Sequence, residues 1–491
     1  MTTPATDAEP GTGRRSLGLW LGPVLAAAFL VVPLPDAVTP EARRTAAVAL
    51  LMATWWMTEA LPLAATALLP LVLFPALGLR TPVQAASPYA NPVIFLFLGG
   101  FALALATERW NLHRRLALAI VAAVGTRPES LVLGFMLATG FVSMWVSNTA
   151  TAAMMTPIAI ALAELLRPPG QERYPFGIAL LLGVAYGATI GGVATVIGTA
   201  PNAVFAGAAR ELLDRPIGFL EWMTVGVPYA LVMLPVTWAL LVFVLFKPGT
   251  LATGAAQALA AQRAALGPMS RGERTTAAVF ALMVAGWVLR EPKTLGTLTI
   301  PGLATVAPGI DDSTIAIAGA LLLFLLPADR RGTRVLDWGA TRDLPWGVLL
   351  LFGGGLSLAA TFESSGLTTA IGRAVTGLAG LPPVVLFALV AALFVYLSEL
   401  ASNTAIATMA MPLLAAGAVG MGHAPLVLMA IGAISASAAY MLPVATPPNA
   451  IVFGSGYIRM GDMVRAGLWL NLVSIVVITI FAVLLLGPVF G

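Results

Sequence analysis

The sequence predicts an all-α polytopic membrane protein with about eleven transmembrane helices and two re-entrant hairpins, arranged as an inverted repeat. The first observation is composition, because 59% of the 491 residues are hydrophobic and only 10% are charged. Soluble domains carry about 25% charged residues, and one membrane crossing needs roughly 20 apolar residues. The second observation is a set of polar and proline motifs that occurs twice, in one order, inside apolar segments.

Apolar runs bounded by charged residues or proline define the predicted spans. They cover residues 17–34, 45–59, 61–79, 92–107, 175–207, 221–247, 275–290, 312–328, 345–366, 425–456 and 464–489. Two further apolar segments, 130–165 and 382–419, carry Ser-Asn-Thr near the middle and are predicted as hairpins that enter and leave on one side. The polar residues 1–16 are expected to form a cytoplasmic tail before a retained first helix.

The distribution of basic residues predicts the orientation. With a cytoplasmic N-terminus, eighteen of the 26 basic residues fall on the cytoplasmic side and eight outside, in agreement with the positive-inside rule. A single crossing at either hairpin would move the later loops to the other side, so the bias supports both hairpins. The hydrophilic stretch 248–274 is expected to be a cytoplasmic connector between two halves.

Three motif pairs reveal an internal repeat. They are FLGGFALALATE (97–108) with FGGGLSLAATFE (352–363), SNTATAAMMTP (147–157) with SNTAIATMAMP (402–412), and IGTAPNAVFAG (197–207) with VATPPNAIVFG (444–454). Alone, a glycine pair indicates close helix packing, Ser-Asn-Thr a helix cap and proline a kink. Their repetition in order predicts a duplicated unit. The two hairpins enter from opposite sides, so the repeats are inverted, as in many secondary transporters.

The Ser-Asn-Thr tripeptides are predicted to form the hairpin tips. Backbone groups at membrane depth need hydrogen-bond partners, and these side chains can supply donors and acceptors there. The helix after each tip would begin at the tripeptide, so its free N–H groups and positive dipole end would face the space between the tips. Two such helix ends suit a ligand with two negative charges.

The Pro-Asn motifs are predicted to break two long helices. Proline removes a backbone donor and interrupts helical bonding, so breaks are expected at Gly198–Asn202 and Ala445–Asn449. The freed carbonyl oxygens, with Ser, Thr and Asn oxygens, suit a hard cation such as Na⁺. We therefore expect two or more Na⁺ sites, each built from one tip and one break. Glu399 is the nearest acid, and structural pairing is favoured for it over ion coupling.

Several function classes have little support. The two Ser-Asn-Thr motifs and the two Pro-Asn motifs contain no Lys, Arg, Asp or Glu, so an anion there would be balanced by helix ends and mobile cations. A proton-coupled antiporter would place a carboxylate in its broken-helix site, which disfavours an ion antiporter or channel. With no cysteine and two histidines, no enzymatic constellation or organic cofactor is indicated. The dispersed arginines do not indicate nucleic-acid binding.

These motifs, together with WWMTEALPLAATALLPLVLFP (55–75), resemble the divalent anion/sodium symporter family, which includes bacterial di- and tricarboxylate or sulfate carriers. The resemblance covers about residues 17–489. It implies a homodimer in the bacterial inner membrane and an elevator motion, in which a transport domain carries substrate and Na⁺ past a scaffold. By position, the transport domain comprises 130–247 and 382–491, and the scaffold comprises 17–128 and 275–380.

The resemblance also implies the site residues. One Na⁺ site would use Ser143, Ser147, Asn148 and Gly198, and the other Ser398, Ala401, Asn403, Ala445 and Pro447. Substrate would contact Asn148, Thr149, Asn403, Thr404 and Thr446.

The leading hypothesis is Na⁺-coupled symport of small dicarboxylates such as succinate, malate or fumarate. Na⁺ would bind first, because an uncompensated dianion at the membrane midplane is very unfavourable. The family resemblance also allows Na⁺-independent dicarboxylate exchange, which the absence of a basic residue from the cation motifs disfavours. Transport of sulfate or tricarboxylates stays open at this point.

Overall fold

The computed structural model describes residues 12–33, 38–168, 173–249, 254–295 and 298–491. Within these ranges the chain is helical, except for a hairpin of two short antiparallel strands, β1 (Lys293–Leu295) and β2 (Leu298–Ile300), which the sequence did not predict. Three predicted pieces lie outside the described residues, namely the tail up to residue 11, the end of the first span at residue 34 and part of the connector at 250–253.

The first half of the chain forms twelve of the described α-helices. They are α1 (Thr12–Val31), α2 (Pro40–Thr58), α3 (Leu63–Thr66), α4 (Leu69–Ala76), α5 (Pro82–Ala86), α6 (Pro92–Arg109), α7 (Leu112–Val124), α8 (Pro128–Ser143), α9 (Asn148–Leu165), α10 (Pro175–Gly192), α11 (Ala200–Leu213) and α12 (Phe219–Ala239). A 3₁₀ turn, Ser87–Ala90, precedes α6, and a π-helical turn, Leu240–Leu245, extends α12.

The second half begins in the connector, after residue 253. Its helices are α13 (Ala255–Ala265), α14 (Arg271–Val288), α15 (Leu303–Val306), α16 (Asp312–Leu325), α17 (Trp346–Ser364), α18 (Leu367–Ala374), α19 (Pro383–Ser398), α20 (Asn403–Met421), α21 (Pro425–Ser437), α22 (Pro447–Phe453), α23 (Met460–Phe481) and α24 (Gly487–Phe490). Short 3₁₀ turns lie at Trp338–Asp343 and Thr376–Leu378, and a π-helical turn lies at Ala482–Leu486.

Six of the described helical stretches are long and apolar enough to cross a membrane, and six more are shorter apolar helices. The third predicted span, 61–79, differs from the expectation of one helix because it consists of two short helices, α3 and α4. Pro70 occupies the first turn of α4, where its missing N–H needs no partner, so the chain restarts a helix there instead of continuing one.

Both long helices are interrupted, and the predicted breaks at 198–202 and 445–449 agree with the unwound segments only at residues 198–199 and 445–446. The first unwound segment covers residues 193–199 and the second covers 438–446. The prolines of the Pro-Asn motifs do not occupy the unwound backbone. They lie in the first turns of α11 and α22, because the missing N–H of proline needs no partner at a helix start and the fixed φ of proline suits that position.

The centre of the molecule consists of two helices that are apolar on all sides. Helix α10 is buried along nearly its whole length and packs against α8 and α9. Helix α21 is the corresponding element of the second half, and it packs against α19 and α20. An all-round apolar surface can be covered only by neighbouring helices, so each hairpin wraps around the first part of a broken helix of its own half.

Close packing of the first hairpin depends on glycine. A Cβ atom added to Gly191 in α10 would lie 2.1 Å from the carbonyl oxygen of Gly140 in α8, which is a backbone atom and cannot rotate away. Small residues at such crossings let two helix backbones approach closely.

Replacement of Gly191 by Ala is therefore expected to destabilise the protein by about 1–3 kcal/mol, the usual range for overpacking. The measurement is the thermal unfolding temperature in detergent. Gly461→Ala is the matched control, because no atom lies within 4 Å of a Cβ added there. An unchanged unfolding temperature for Gly191→Ala would contradict the close contact.

Candidate functional site

The two Ser-Asn-Thr tripeptides begin helices at the turns of two hairpins. The α8–α9 hairpin reverses at residues 144–147 and the α19–α20 hairpin at residues 399–402. The hydroxyl of Ser147 accepts a hydrogen bond from the N–H of Ala150 at 3.2 Å, and that of Ser402 accepts one from Ala405 at 3.5 Å. Each serine is thus the N-cap of the helix that follows it, and the asparagine and threonine lie in the first helical turn.

Contacts bring most of the first predicted Na⁺ set together. The hydroxyl of Ser143 donates to Oδ1 of Asn148 at 2.6 Å. A Cβ added to Gly192 would lie 2.3 Å from the same Oδ1, and one added to Gly198 would lie 2.4 Å from the carbonyl oxygen of Gly192. The hairpin turn and the unwound segment therefore touch at Asn148. Sequence reasoning did not predict a role for Gly192. A side chain at this position would overlap the Asn148 amide.

The second predicted set is arranged differently. The hydroxyl of Ser398 faces the backbone, with acceptor oxygens at Phe394 and, 3.4 Å away, at Ser435 in α21. It does not repeat the contact between Ser143 and Asn148. Oδ1 of Asn403 is buried with no hydrogen-bond partner, so its lone pairs are not used by another group of the protein. Ala401 is half-buried next to it.

The remaining members of the second set lie at the start of α22. Ala445 is buried at the end of the unwound segment, and Pro447 is exposed in the first helical turn. The Thr446 hydroxyl accepts a hydrogen bond from the N–H of Asn449 at 3.3 Å, so this predicted substrate residue caps α22. The contacts described here therefore do not link the second set as they link the first.

The two halves meet at these elements in a crossed arrangement. Helix α9 packs against α22, and α20 packs against α11. Each Ser-Asn-Thr helix thus lies beside the broken helix of the other half. The hydroxyl of Tyr186 in α10 also donates to the carbonyl oxygen of Tyr440 in the second unwound segment, at 3.0 Å.

Accessibility differs between the predicted substrate residues. Thr149 is exposed, Asn148, Asn403 and Thr404 are half-buried, and Thr446 is buried. The first tip is thus the more open one.

A buried carboxylate holds the second unwound segment. Glu399 is 4% exposed, and its two oxygens accept hydrogen bonds from the backbone N–H groups of Tyr440, Met441 and Leu442, at 2.7, 2.9 and 3.1 Å. The side-chain amide of Asn471 in α23 donates a fourth bond at 2.9 Å. These bonds favour a structural role for Glu399, because a carboxylate is strongly stabilised by several converging donors.

In the first half a threonine links the tip to the unwound segment. The hydroxyl of Thr195 donates to the carbonyl oxygen of Met144 in the hairpin turn at 2.5 Å, and it accepts from the N–H of Gly198 at 3.1 Å. Met144 and Glu399 occupy corresponding positions of the repeat. Aligning the two tips would have revealed this difference in sequence, but not the groups that each residue contacts.

The chemistry of the site fits an alkali cation and an anion. The turns and unwound segments contain no basic side chain, and their available ligands are hydroxyl, amide and carbonyl oxygens. Among the residues that the structure describes, no group of three or more His, Cys, Asp or Glu side chains could hold a metal ion. Neutral hard oxygens suit Na⁺, and the N-termini of α9 and α20 suit negative charge.

Comparison with known proteins agrees with this chemistry. Residues 16–490 match the family model described as the sodium:sulfate symporter transmembrane region. The sodium-dependent dicarboxylate transporter SdcS of Staphylococcus saprophyticus is 41% identical over 486 residues, covering 97% of this chain and 92% of SdcS. SdcS of Staphylococcus aureus is 41% identical over 492 residues, covering 98% of this chain and 93% of that protein.

Two solved structures share the fold at low sequence identity. The YdaH transporter of Alcanivorax borkumensis superposes with a TM-score of 0.63 at 18% identity, covering 90% of this chain and 100% of YdaH. MtrF of Neisseria gonorrhoeae, from a class of antimetabolite efflux pumps, superposes with a TM-score of 0.60 at 12% identity, covering 99% and 97%. The fold is therefore one that membrane transporters use.

Replacement of Glu399 by Gln is expected to loosen the second unwound segment. The amide would lack the negative charge and would turn donor hydrogens toward backbone N–H donors, so buried groups would lose partners at about 1–3 kcal/mol each. The unfolding temperature in detergent should fall clearly. Glu59→Gln, at an exposed acid after α2, should leave it unchanged. Equal unfolding temperatures for the two variants would show that the Glu399 carboxylate does not hold the segment.

Proposed function

Since the chain belongs to the sodium:sulfate symporter family, which is the divalent anion/sodium symporter family that its motifs resemble, we propose that it carries small dicarboxylates across the membrane together with Na⁺. The observation that carries this proposal is 41% identity to a sodium-dependent dicarboxylate transporter over 97% of the chain. The chain is a transporter and not an enzyme. Its coupling ion is Na⁺, and no organic cofactor is indicated.

The order of binding follows from the charges of the site. Na⁺ binds first at the turn and unwound segment of each half, with Asn148 and Asn403 as central ligands. The dicarboxylate then binds between the N-termini of α9 and α20, beside Thr149, Thr404 and Thr446. Helix ends carry only partial charges, so the dianion needs the bound cations to make its transfer into a low-dielectric site favourable.

The two halves form an inverted repeat, and the substrate moves by an elevator motion within a homodimer. The moving domain comprises residues 130–247 and 382–491, the scaffold comprises 17–128 and 275–380, and the N-terminus lies in the cytoplasm. The structure supports this motion through unequal burial of corresponding elements. Ile197 is 5% exposed, whereas its counterpart Val444 is 85% exposed.

Small residues line the seam between the two domains. A Cβ on Gly100 of α6 would lie 3.2 Å from Ile197, and one on Gly207 of α11 would lie 3.2 Å from Leu356 of α17. The seam is lined almost entirely by apolar side chains around a cavity of about 10 Å³ between α6, α11, α17 and α20. Elsewhere polar contacts cross it, from the N–H of Phe219 to Asp312 and between Arg210 and Asp311, and these contacts must break when one side slides past the other.

If the two halves of the repeat swap conformations during transport, the contacts of the opposite state can be predicted from those in the structure. The counterparts of Gly207 and Leu356 in the repeat are Gly454 and Phe101. Gly454 should therefore pack against Phe101 after the motion, as Gly207 packs against Leu356 in the structure. The exposed Thr149 of α9 and Val444 before α22 lie toward the cytoplasmic side in the predicted topology, so the described state is assigned as inward-open.

Transport is tested with purified protein in vesicles that contain no substrate. An inward Na⁺ gradient should drive uptake of labelled succinate, and replacement of Na⁺ by choline should abolish it. Asn148→Ala and Asn403→Ala should reduce uptake to background because each removes a central oxygen ligand, whereas Asn111→Gly, outside the site, should leave uptake unchanged. Exchange would instead be indicated by no uptake into empty vesicles and Na⁺-independent uptake into vesicles loaded with unlabelled succinate, and competition by unlabelled sulfate or citrate but not malate would reassign the substrate.

The elevator motion is tested by disulfide cross-linking, which the natural absence of cysteine makes clean. Phe101→Cys with Gly454→Cys should cross-link during transport, because the proposed motion brings the two Cβ atoms within the roughly 4 Å that a disulfide needs. Uptake should stop on oxidation and return on reduction. Leu356→Cys with Gly207→Cys is the matched pair for the described state. Cross-linking of the second pair alone, in active protein, would refute the exchange of contacts.

A further inference from the structure

Two buried asparagines make the same contacts in the two halves of the chain. Asn202 and Asn449 are both 0% exposed and each is the third residue of its helix, in α11 and α22. The side-chain amide of Asn202 donates to the carbonyl oxygens of Gly192, Val193 and Thr195 at 3.3, 3.1 and 2.8 Å. All three acceptors lie at the end of α10 or in the unwound segment that follows.

The second half repeats this arrangement. The amide of Asn449 donates to the carbonyl oxygens of Ala439 and Leu442, at 3.4 and 3.1 Å. These acceptors lie ten and seven residues before Asn449, and Gly192 and Thr195 lie ten and seven residues before Asn202. The same donor therefore reaches back to the same two places of each unwound segment, although the surrounding residues differ.

We propose that Asn202 and Asn449 are positioning residues for the Na⁺ sites, a proposal that rests on the proposed function and deepens it. An interrupted helix leaves several carbonyl oxygens without a backbone donor, and at membrane depth these oxygens need partners. Each amide takes up the carbonyls at the beginning of the unwound segment. The bend that results leaves the later carbonyls, including that of the predicted ligand Gly198, free to face a cation.

The neighbouring prolines explain why side-chain amides donate to these carbonyl oxygens. Pro201 and Pro448 directly precede the asparagines and have no backbone N–H that could donate. A serine or threonine would supply one donor hydrogen, whereas the asparagine amide supplies two. Asp would supply none when ionised, and it would bring a negative charge against carbonyl oxygens.

The amide oxygen of each asparagine allows a test that separates positioning from direct cation binding. Oδ1 of Asn202 and Oδ1 of Asn449 are both buried without a hydrogen-bond partner, so each could also be thought of as a direct cation ligand. Asn→Asp keeps this oxygen and adds charge, which would preserve or strengthen direct binding of Na⁺. The same change removes the donors, so it should weaken Na⁺ binding if the amide acts by positioning the carbonyls.

The experiment measures two quantities. The first is the Na⁺ concentration at which the unfolding temperature of the purified protein has risen by half of its maximal Na⁺-dependent increase, and the second is the Na⁺ dependence of succinate uptake. Asn202→Asp and Asn449→Asp are each expected to raise the half-saturating Na⁺ concentration about tenfold or more. The succinate KM at saturating Na⁺ should change less than twofold. Asn202→Ser and Asn449→Ser, which keep one donor, should give intermediate shifts, and they serve if the Asp variants do not fold.

Asn111→Asp, a helix-start asparagine outside the site, is the matched control and should behave as the unmodified protein does. Unchanged or stronger Na⁺ binding in the Asp variants would overturn the positioning role. The positioning role would also be overturned if the Asp variants lost the same stability with and without Na⁺ and showed no shift of the Na⁺ titration. This result would indicate a purely structural contact. Failure of the proposed function looks different, because the unmodified protein itself would then show no Na⁺-dependent stabilisation or uptake.

Discussion

The structure depends on one constraint, which is that every backbone N–H and C=O inside the membrane must find a partner within the protein. Continuous helices satisfy it automatically, but a site for small ions needs exposed oxygens and therefore an interrupted helix. The chain interrupts two helices, at 193–199 and 438–446. It then restricts the number of free groups at each interruption by using side chains as partners, and only the groups left over can act as ligands.

The two halves satisfy this constraint with the donor and acceptor exchanged. In the first half, a side chain of the unwound segment donates to the hairpin turn, from Thr195 to the carbonyl of Met144. In the second half, a side chain of the turn accepts from the unwound segment, since Glu399 receives three backbone N–H groups. The repeated backbone shape is therefore kept while the supporting chemistry has diverged. The contacts of Ser143 with Asn148 and of Ser398 with α21 are a further difference between the halves.

Sequence reasoning predicted the elements that depend on local signals. The hairpins, their Ser-Asn-Thr tips and the presence of two broken helices all followed from apolar runs and repeated motifs, and the structure contains helices and turns at these places. The positions of the breaks did not follow, because proline can either interrupt a helix or start one, and only the path of the chain decides. The partners of Glu399 and Asn202 were equally hidden, since they lie on other elements or in backbone whose direction no residue spacing specifies. The Gly192 contact with Asn148 is of the same kind.

The absence of a fixed basic side chain in the site gives these backbone arrangements a direct role in coupling. An arginine between the tips would bind a dicarboxylate without Na⁺, and the carrier would then move substrate independently of the ion gradient. In the proposed site, positive charge comes from the ends of α9 and α20, which are partial charges, and from ions that dissociate. In that proposal the anion is held well only while cations occupy the oxygens of the unwound segments. Residues that shape those segments, among them Gly192, Thr195 and Glu399, would then control how tightly substrate binding depends on Na⁺, although none of them has to touch the substrate.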